Sequence, residues 1–101
     1  MAKRNIAISQ QKIANFCRKW KITELALFGS VLNRNFRPDS DIDVLVSFTE
    51  DAQWSLFDSV RMQEELKEIF GREVDLVEKA ALRNPFRRHS ILRSKEVIYA
   101  I

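Results

Sequence analysis

Residues 41–48, Asp-Ile-Asp-Val-Leu-Val-Ser-Phe, carry the strongest strand signal in this 101-residue chain. Most of the segment is apolar and β-branched, and two carboxylates stand at its leading end. Side chains two positions apart on a strand point to the same face, so Asp41 and Asp43 are expected to lie side by side. The segment therefore predicts a buried strand that presents paired carboxylates at one edge of a sheet.

Segments with strand and helix patterns alternate around this strand. Apolar runs predict further strands at 24–28 and 73–77 and a short edge strand at 96–100. Helices are predicted over 9–20, over 54–70 with Gly71 as its stop, and from Asn84-Pro85 to about Arg93, with a turn and short helix at 29–36. This order predicts an α/β or α+β domain, in which a small mixed sheet is flanked by helices.

Length and cysteine content point to one small intracellular domain. A chain of 101 residues is expected to form a single domain over residues 1–101. Cys17 is the sole cysteine, which excludes an internal disulfide and a thiolate zinc site and fits a reducing cytoplasm. We see neither a signal peptide nor an apolar run of the roughly 20 residues that a membrane span needs.

Charge is divided unevenly along the chain, although the net charge is only +3. Residues 1–21 carry six basic residues and no acid, and residues 79–101 carry six basic residues against Glu96. The two ends therefore offer either a positive surface for a partner or simply solvated helix faces. The basic residues around the helix at 85–93 could dock a partner, steer ATP or bind RNA. No RNA-binding motif with aromatic interleaving is visible, so a protein partner is favoured over nucleic acid.

The paired carboxylates Asp41 and Asp43 suggest a magnesium site. Two carboxylates that close repel each other by roughly 1 kcal/mol or more unless a cation joins them. Mg²⁺ takes hard oxygen ligands, usually one or two carboxylates together with water and substrate phosphates. Taken alone, the pair could also be two solvated charges at the end of a strand.

Gly29-Ser30 lies twelve residues before Asp41 and strengthens the functional interpretation. Glycine allows the backbone to approach a phosphate closely, and the start of a helix offers free amides to an anion. The serine hydroxyl can donate to a phosphate oxygen. Strand, Gly-Ser turn and Asp-x-Asp strand together predict a phosphate cradle beside a metal site.

Asp75 adds a third carboxylate within the otherwise apolar run Val-Asp-Leu-Val at 74–77. A charge inside a predicted core strand needs a partner. If this strand lies beside 41–48, Asp75 completes a cluster that could hold two metal ions, or it serves as general base. A salt bridge at an edge strand is the alternative.

The run 27–46, Leu-Phe-Gly-Ser-Val-Leu-Asn-Arg-Asn-Phe-Arg-Pro-Asp-Ser-Asp-Ile-Asp-Val-Leu-Val, resembles the minimal nucleotidyltransferase family of the DNA polymerase β-like superfamily. The resemblance extends to 73–77 and 82–86. It implies the nucleotidyltransferase fold, ATP as substrate and one or two Mg²⁺ ions as cofactor. Many similar proteins are antitoxins encoded beside a HEPN ribonuclease toxin, which implies AMP transfer to a tyrosine of such a partner.

The resemblance also implies roles for individual residues. Gly29 and Ser30 would bind phosphates, Asp41 and Asp43 would bind metal, and Asp75 would be the third carboxylate.

One departure concerns the phosphate-binding cation. Many members of the family have arginine three residues after the serine and then glycine, whereas this chain has Asn33 and Arg34. The cation is therefore expected at Arg34 or Arg37, or is missing, and Arg37 is the phosphate-binding candidate.

Other reactive side chains are interpreted as structural. His89 has no acid nearby and is expected at the surface, while Cys17, Trp20 and Trp54 are expected to pack. Two other functions stay open: an antitoxin that acts by binding alone, and a transferase that modifies a small molecule or RNA. The chain could form homo- or hetero-oligomers.

Overall fold

The computed structural model describes residues 8–32 and 40–101, which form one four-stranded sheet with helices on both faces. The helices are α1 (Gln10–Lys19), α2 (Leu56–Phe70) and α3 (Pro85–Ser94). The strands are β1 (Ile22–Phe28), β2 (Ile42–Phe48), β3 (Val74–Glu78) and β4 (Glu96–Ala100). The predicted mixed α+β class is confirmed. In these two ranges, the helices are all too short or too polar to cross a membrane.

Local hydrogen bonds set the ends of the helices. Ser9 caps α1 by accepting from the Lys12 amide, and Ser55 and Asp58 form a capping box at the start of α2. Because Ser55 is the cap, α2 begins at Leu56 and not at 54 as predicted. Gly71 ends α2 in the left-handed conformation, with φ of +70°.

The sheet has the strand order β3-β2-β1-β4. Strand β1 pairs antiparallel with both β2 and β4, whereas β2 and β3 are parallel. Strand β1 begins at Ile22, two residues before the predicted start, because Ile22 pairs with Phe48. Strand β2 begins at Ile42, so Asp41 lies immediately before the strand and not within it.

The two faces of the sheet pack against different helices. Ile42, Val44 and Val46 of β2 belong to the larger core, which also contains α1 and α2 residues such as Phe16 and Leu66. The opposite face packs against α3 in a smaller cluster, whose buried members are Ala26, Phe28, Leu45, Leu82 and Ile91. Helix α3 therefore covers the face that carries the odd-numbered residues of β2.

The side chains interpreted as structural are placed as predicted. Cys17 and Trp20 are buried in the larger core, and His89 is exposed on α3. Trp54 packs edge-on against Trp20, with 5.2 Å between the ring centroids, and more distantly against Phe48.

Candidate active site

Asp43 and Asp75 are register partners in the parallel pair of β2 and β3. Neighbouring strands lie about 4.8 Å apart, and side chains at paired positions point to the same face. The prediction that the third strand lies beside 41–48 is therefore confirmed, and Asp75 stands next to Asp43. Within residues 8–32 and 40–101, Asp75 forms no salt bridge, which speaks against the edge-strand ion pair considered above.

Asp43 points to the face of the sheet that α3 covers. Strand alternation puts it on the same face as Leu45, and its partner across β1 is Phe28. Leu45 and Phe28 both belong to the smaller cluster with Ile91 of α3. Asp43 is half-buried, whereas Asp41 and Asp75 are exposed.

The environment of Asp43 disfavours its charged form. Burial raises the pKa of the Asp43 carboxyl above its ordinary value, and the negative charges of Asp75 and Asp41 raise it further. The positive charge of Arg87 acts in the opposite direction. All three carboxylates are therefore close enough to interact electrostatically, and a bound cation would relieve their repulsion.

Gly29 brings the backbone against this cluster. A Cβ built on Gly29 would lie 2.3 Å from Oδ2 of Asp43, well inside any allowed contact. Gly29 also has a φ of +76°, in the left-handed region that favours glycine. The conformation of residue 29 therefore favours glycine, and a side chain there would push the Asp43 carboxylate away from its observed position.

Ser30 follows Gly29 in a single 3₁₀ turn, Gly29–Leu32. The turn covers the described part of the segment 29–36 for which a turn and short helix were predicted, and residues 33–39 lie outside the described ones. Ser30 is half-buried, and its hydroxyl makes no hydrogen bond to the described residues, so it is available to a ligand. The predicted phosphate contact of Arg37, like the alternative at Arg34, falls on 33–39 and stays a prediction.

Two contacts hold the start of β2 in place beside β3. The Arg72 guanidinium donates to the Ser40 carbonyl at 2.8 Å, and the Ile42 amide donates to the Glu73 carbonyl at 2.9 Å. Both contacts join the end of α2 and the start of β3 to the residues that flank Asp41. The backbone position of Asp41, which lies between Ser40 and Ile42, is therefore fixed by this junction as well as by strand β2.

The carboxylate cluster fits a magnesium ion by the chemistry of its donors. Asp41, Asp43 and Asp75 supply hard oxygen atoms, and their mutual repulsion is the condition that a divalent cation relieves. Among residues 8–32 and 40–101, however, no three His, Cys, Asp or Glu side chains converge tightly enough to form a ready-made metal site. A magnesium ion held here would need ligands from substrate phosphates and water, as is usual for Mg²⁺.

A cleft lies at a distance from the three carboxylates. It has a volume of about 670 Å³ and lies at the opposite ends of β2 and β3, where Thr49, Trp54, Lys79 and Arg88 line it. Trp54 Nε1 is buried there and has no hydrogen-bond partner among the described residues. None of the three carboxylates lines this cleft, so it is separate from the candidate site.

Sequence reasoning missed the position of Arg87. The basic residues of α3 were considered for docking a partner, steering ATP or binding RNA, with a protein partner favoured, whereas the charge of Arg87 acts on Asp43. Residues 43 and 87 are far apart in the chain, and only the packing of α3 on the sheet brings them together. The apolar positions Leu82 and Ile91 were the available signal, because they show which side of this segment must be buried.

A mixed sheet with a carboxylate cluster beside a glycine turn is the kind of site that transfers phosphate-containing groups. The family model described as nucleotidyltransferase domain matches residues 10–98 of this chain. The chain belongs to the nucleotidyltransferase domain family and is a nucleotidyl-transferring enzyme. The resemblance noted in the sequence is thereby confirmed.

Individual relatives and solved structures agree with this assignment. A putative protein adenylyltransferase of Methanocaldococcus jannaschii is 36% identical over 81 residues, which cover 80% of this chain and 79% of the relative. The protein adenylyltransferase MntA of Thermococcus cleftensis is 35% identical over 81 residues, covering 80% and 77%.

Among solved structures, a putative minimal nucleotidyltransferase is similar at a TM-score of 0.70 and 31% identity, over 86% of both chains. A chain in the structure of a tri-AMPylated Shewanella oneidensis HEPN toxin in complex with MNT antitoxin is similar at a TM-score of 0.65. At 19% identity, with 91% of this chain and 70% of that chain covered, this last likeness shows the fold alone.

Proposed function

We propose that this chain is a magnesium-dependent protein adenylyltransferase that transfers AMP from ATP to a tyrosine of a HEPN-type ribonuclease toxin, and so acts as its antitoxin. The observation that supports it most is the register of Asp43 with Asp75, beside a glycine whose backbone abuts Asp43. The names of the relatives from M. jannaschii and T. cleftensis support adenylyl transfer to protein. A toxin as the acceptor is supported by the S. oneidensis structure, in which a chain of the same fold occurs in a complex with an AMPylated HEPN toxin.

The reaction is an in-line substitution at the α-phosphorus of ATP. A bond forms between the tyrosine oxygen and the α-phosphorus, while the bond from that phosphorus to the oxygen bridging to the β-phosphate breaks and pyrophosphate leaves. Asp75, exposed at the edge strand and without a salt bridge among the described residues, accepts the proton of the tyrosine hydroxyl. Gly29 and Ser30 position the phosphates.

Asp41 and Asp43, with Asp75 if a second ion binds, would hold Mg²⁺, which neutralises phosphate charge in this class of reaction. The half-burial of Asp43 contributes by reducing the solvent that competes for its carboxylate. Positioning of the reactants and electrostatic stabilisation of the transition state supply most of the rate enhancement in such transfers.

The acceptor is expected to be a second protein that docks from outside. The names of the relatives, which are protein adenylyltransferases, support a protein as the acceptor. In such a pair the toxin presents its tyrosine to the carboxylate edge, and both proteins would act in the cytoplasm.

The test is intact-mass spectrometry of the HEPN-type protein encoded beside this chain, after incubation with the chain, ATP and Mg²⁺. We expect the partner to gain whole AMP units and to gain none when the chain carries Asp41→Asn and Asp43→Asn. Peptide mapping should place each AMP on a tyrosine, and the reaction should stop in EDTA.

Each alternative function gives a different result in this assay. A stable complex whose partner keeps its mass would show an antitoxin that acts by binding alone. Labelling of RNA or of a small molecule, with none on protein, would show the other type of transferase. Unchanged transfer by the double variant would refute the proposed site.

A further inference from the structure

Arg87 lies in the first turn of α3, the helix that covers the sheet face bearing Asp43. Ile91, one turn further along α3, is buried against Phe28 and Leu45. Phe28 is the β1 partner of Asp43 and directly precedes Gly29. Arg87 and Ile91 are four residues apart and so lie on the same side of α3, which places Arg87 toward the sheet face that bears Asp43. Its positive charge acts on the Asp43 carboxylate.

The guanidinium group of Arg87 is uncommitted in the described part of the chain. Arg88, its neighbour, donates to the Lys79 carbonyl at 3.2 Å, and Arg72 donates to the Ser40 carbonyl. Arg87 is exposed, and its side chain forms neither a hydrogen bond nor an ion pair with residues 8–32 or 40–101. Its backbone amide is already used, because it donates to the cap residue Asn84.

An arginine that is uncommitted among the described residues, and whose charge acts on Asp43, suggests an anion that arrives with the substrate. With a divalent cation on the carboxylates, the guanidinium is left facing whatever anion that cation carries. The planar fork of arginine matches phosphate oxygens in a bidentate fashion. A triphosphate bound beside Gly29 and Asp43 would bring such oxygens into the region on which the charge of Arg87 acts.

We propose that Arg87 binds the triphosphate of the nucleotide, so that α3 supplies a phosphate-binding cation to the active site. The inference rests on the proposed function, because it requires a nucleoside triphosphate at the carboxylate edge. It assigns Arg87 to substrate binding and not to docking of the partner protein.

The test compares Arg87→Gln and Arg87→Lys with Arg93→Gln, which removes the same charge from an exposed position in the last turn of the same helix. Binding of Mg²⁺-ATP and of Mg²⁺-tripolyphosphate, which lacks base and ribose, is measured by calorimetry on the full chain. We expect Arg87→Gln to weaken both by roughly ten- to a hundred-fold, since a hydrogen bond to a charged group contributes that much. Arg87→Lys should be intermediate, and Arg93→Gln should bind like wild type.

Two further readouts exclude other roles for Arg87. The affinity for Mn²⁺ alone should stay unchanged or rise in Arg87→Gln, because a neighbouring positive charge is lost. A weaker affinity for Mn²⁺ alone would overturn the proposal and make Arg87 a positioning residue for Asp43. In the transfer assay, KM for ATP should rise while KM for the acceptor protein stays constant, and the reverse would make Arg87 a docking residue.

Failure of this inference is distinct from failure of the proposed function. If wild type binds and transfers AMP while Arg87→Gln matches it, Arg87 is not a phosphate ligand and the function stands. If wild type binds neither ATP nor tripolyphosphate, both proposals fall. Weaker binding of ATP with unchanged tripolyphosphate would place Arg87 at the nucleoside and refute the assignment.

Discussion

Gly29 and Asp43 are in contact across the antiparallel pair β1–β2, so closely that a Cβ on residue 29 would lie 2.3 Å from the Asp43 carboxylate oxygen. The Gly29-Ser30 turn and the carboxylate cluster therefore form one structural unit, because any side chain at residue 29 must displace the Asp43 carboxylate. Gly29 and Gly71, the two glycines of the chain, therefore provide a test position and a control position for mutagenesis.

Gly29→Ala is expected to abolish nucleotide transfer and to lower the free energy of unfolding by about 1–2 kcal/mol. The left-handed conformation, with φ of +76°, accounts for about 1–2 kcal/mol of strain. The collision with Asp43 is relieved when that side chain moves, so its effect falls on activity. Urea unfolding and the AMP-transfer assay measure the two effects separately.

Gly71→Ala is the control for this strain. Gly71 has nearly the same φ, +70°, but a Cβ there would meet no atom within 4 Å. We expect a similar strain of about 1–2 kcal/mol with transfer activity retained at temperatures where the variant is folded. Equal loss of activity in both variants would show that strain, and not contact with Asp43, governs the site.

Asp43→Asn is expected to stabilise the metal-free protein at neutral pH, by less than about 1 kcal/mol after solvent screening, while it removes activity. The pKa of Asp43 is raised in the folded state, so ionisation of this group opposes folding. The stability gap between variant and wild type should widen as pH rises from the ordinary value of 3.8 through the raised pKa, and then level off. Urea titrations in EDTA over this range measure it, and a gap independent of pH would contradict the assignment.

Glu65→Gln should destabilise the protein at neutral pH by roughly 0.5–1 kcal/mol. Glu65 joins α2 to α1, accepting from Lys19 Nζ at 2.6 Å and from Trp20 Nε1 at 2.9 Å. Although burial raises the pKa of Glu65, these bonds and the charge of Lys19 outweigh it and lower that pKa. The stabilisation is therefore present above the ordinary value of 4.5 and is lost as pH falls through the lowered pKa.

The control for Glu65 is Glu68→Gln, on an exposed position of the same helix. Thermal unfolding is measured at pH 7 and at acid pH. At pH 7 the unfolding temperature of Glu65→Gln should lie below that of Glu68→Gln, and in acid it should be close to that of wild type. A loss of the same size for both variants would mean that general charge effects, and not the bonds to Lys19 and Trp20, are responsible.

Cys17 should resist alkylation in the folded protein. Burial raises the pKa of the Cys17 thiol to about 12, and the nearby charge of Arg18 only partly offsets this. Thiolate is the reactive form, so iodoacetamide at pH 8 should label Cys17 only after unfolding in urea. Labelling of the native protein at the unfolded rate would show that this part of α1 opens readily.

The sequence alone was sufficient for the local features. The alternation of apolar and polar residues identified the helices and strands, and Ser9, Gly71 and Asn84 marked helix ends close to their observed positions. The Asp-x-Asp strand and Gly-Ser turn located the candidate site because their chemistry depends on residues near one another in the chain. The boundary errors at β1 and α2 arose where pairing with Phe48 and capping by Ser55 decided the first residue.

Tertiary structure decided which distant groups share the site. The register of Asp75 with Asp43 depends on the strand order β3-β2-β1-β4, and the contact of Gly29 with Asp43 depends on β1 pairing with β2. The position of Arg87 depends on burial of Ile91 against the sheet face that bears Asp43. A sequence determines local conformation through backbone preferences and periodicity, whereas these juxtapositions follow from how the sheet pairs and how α3 packs, which involve residues far apart in the chain.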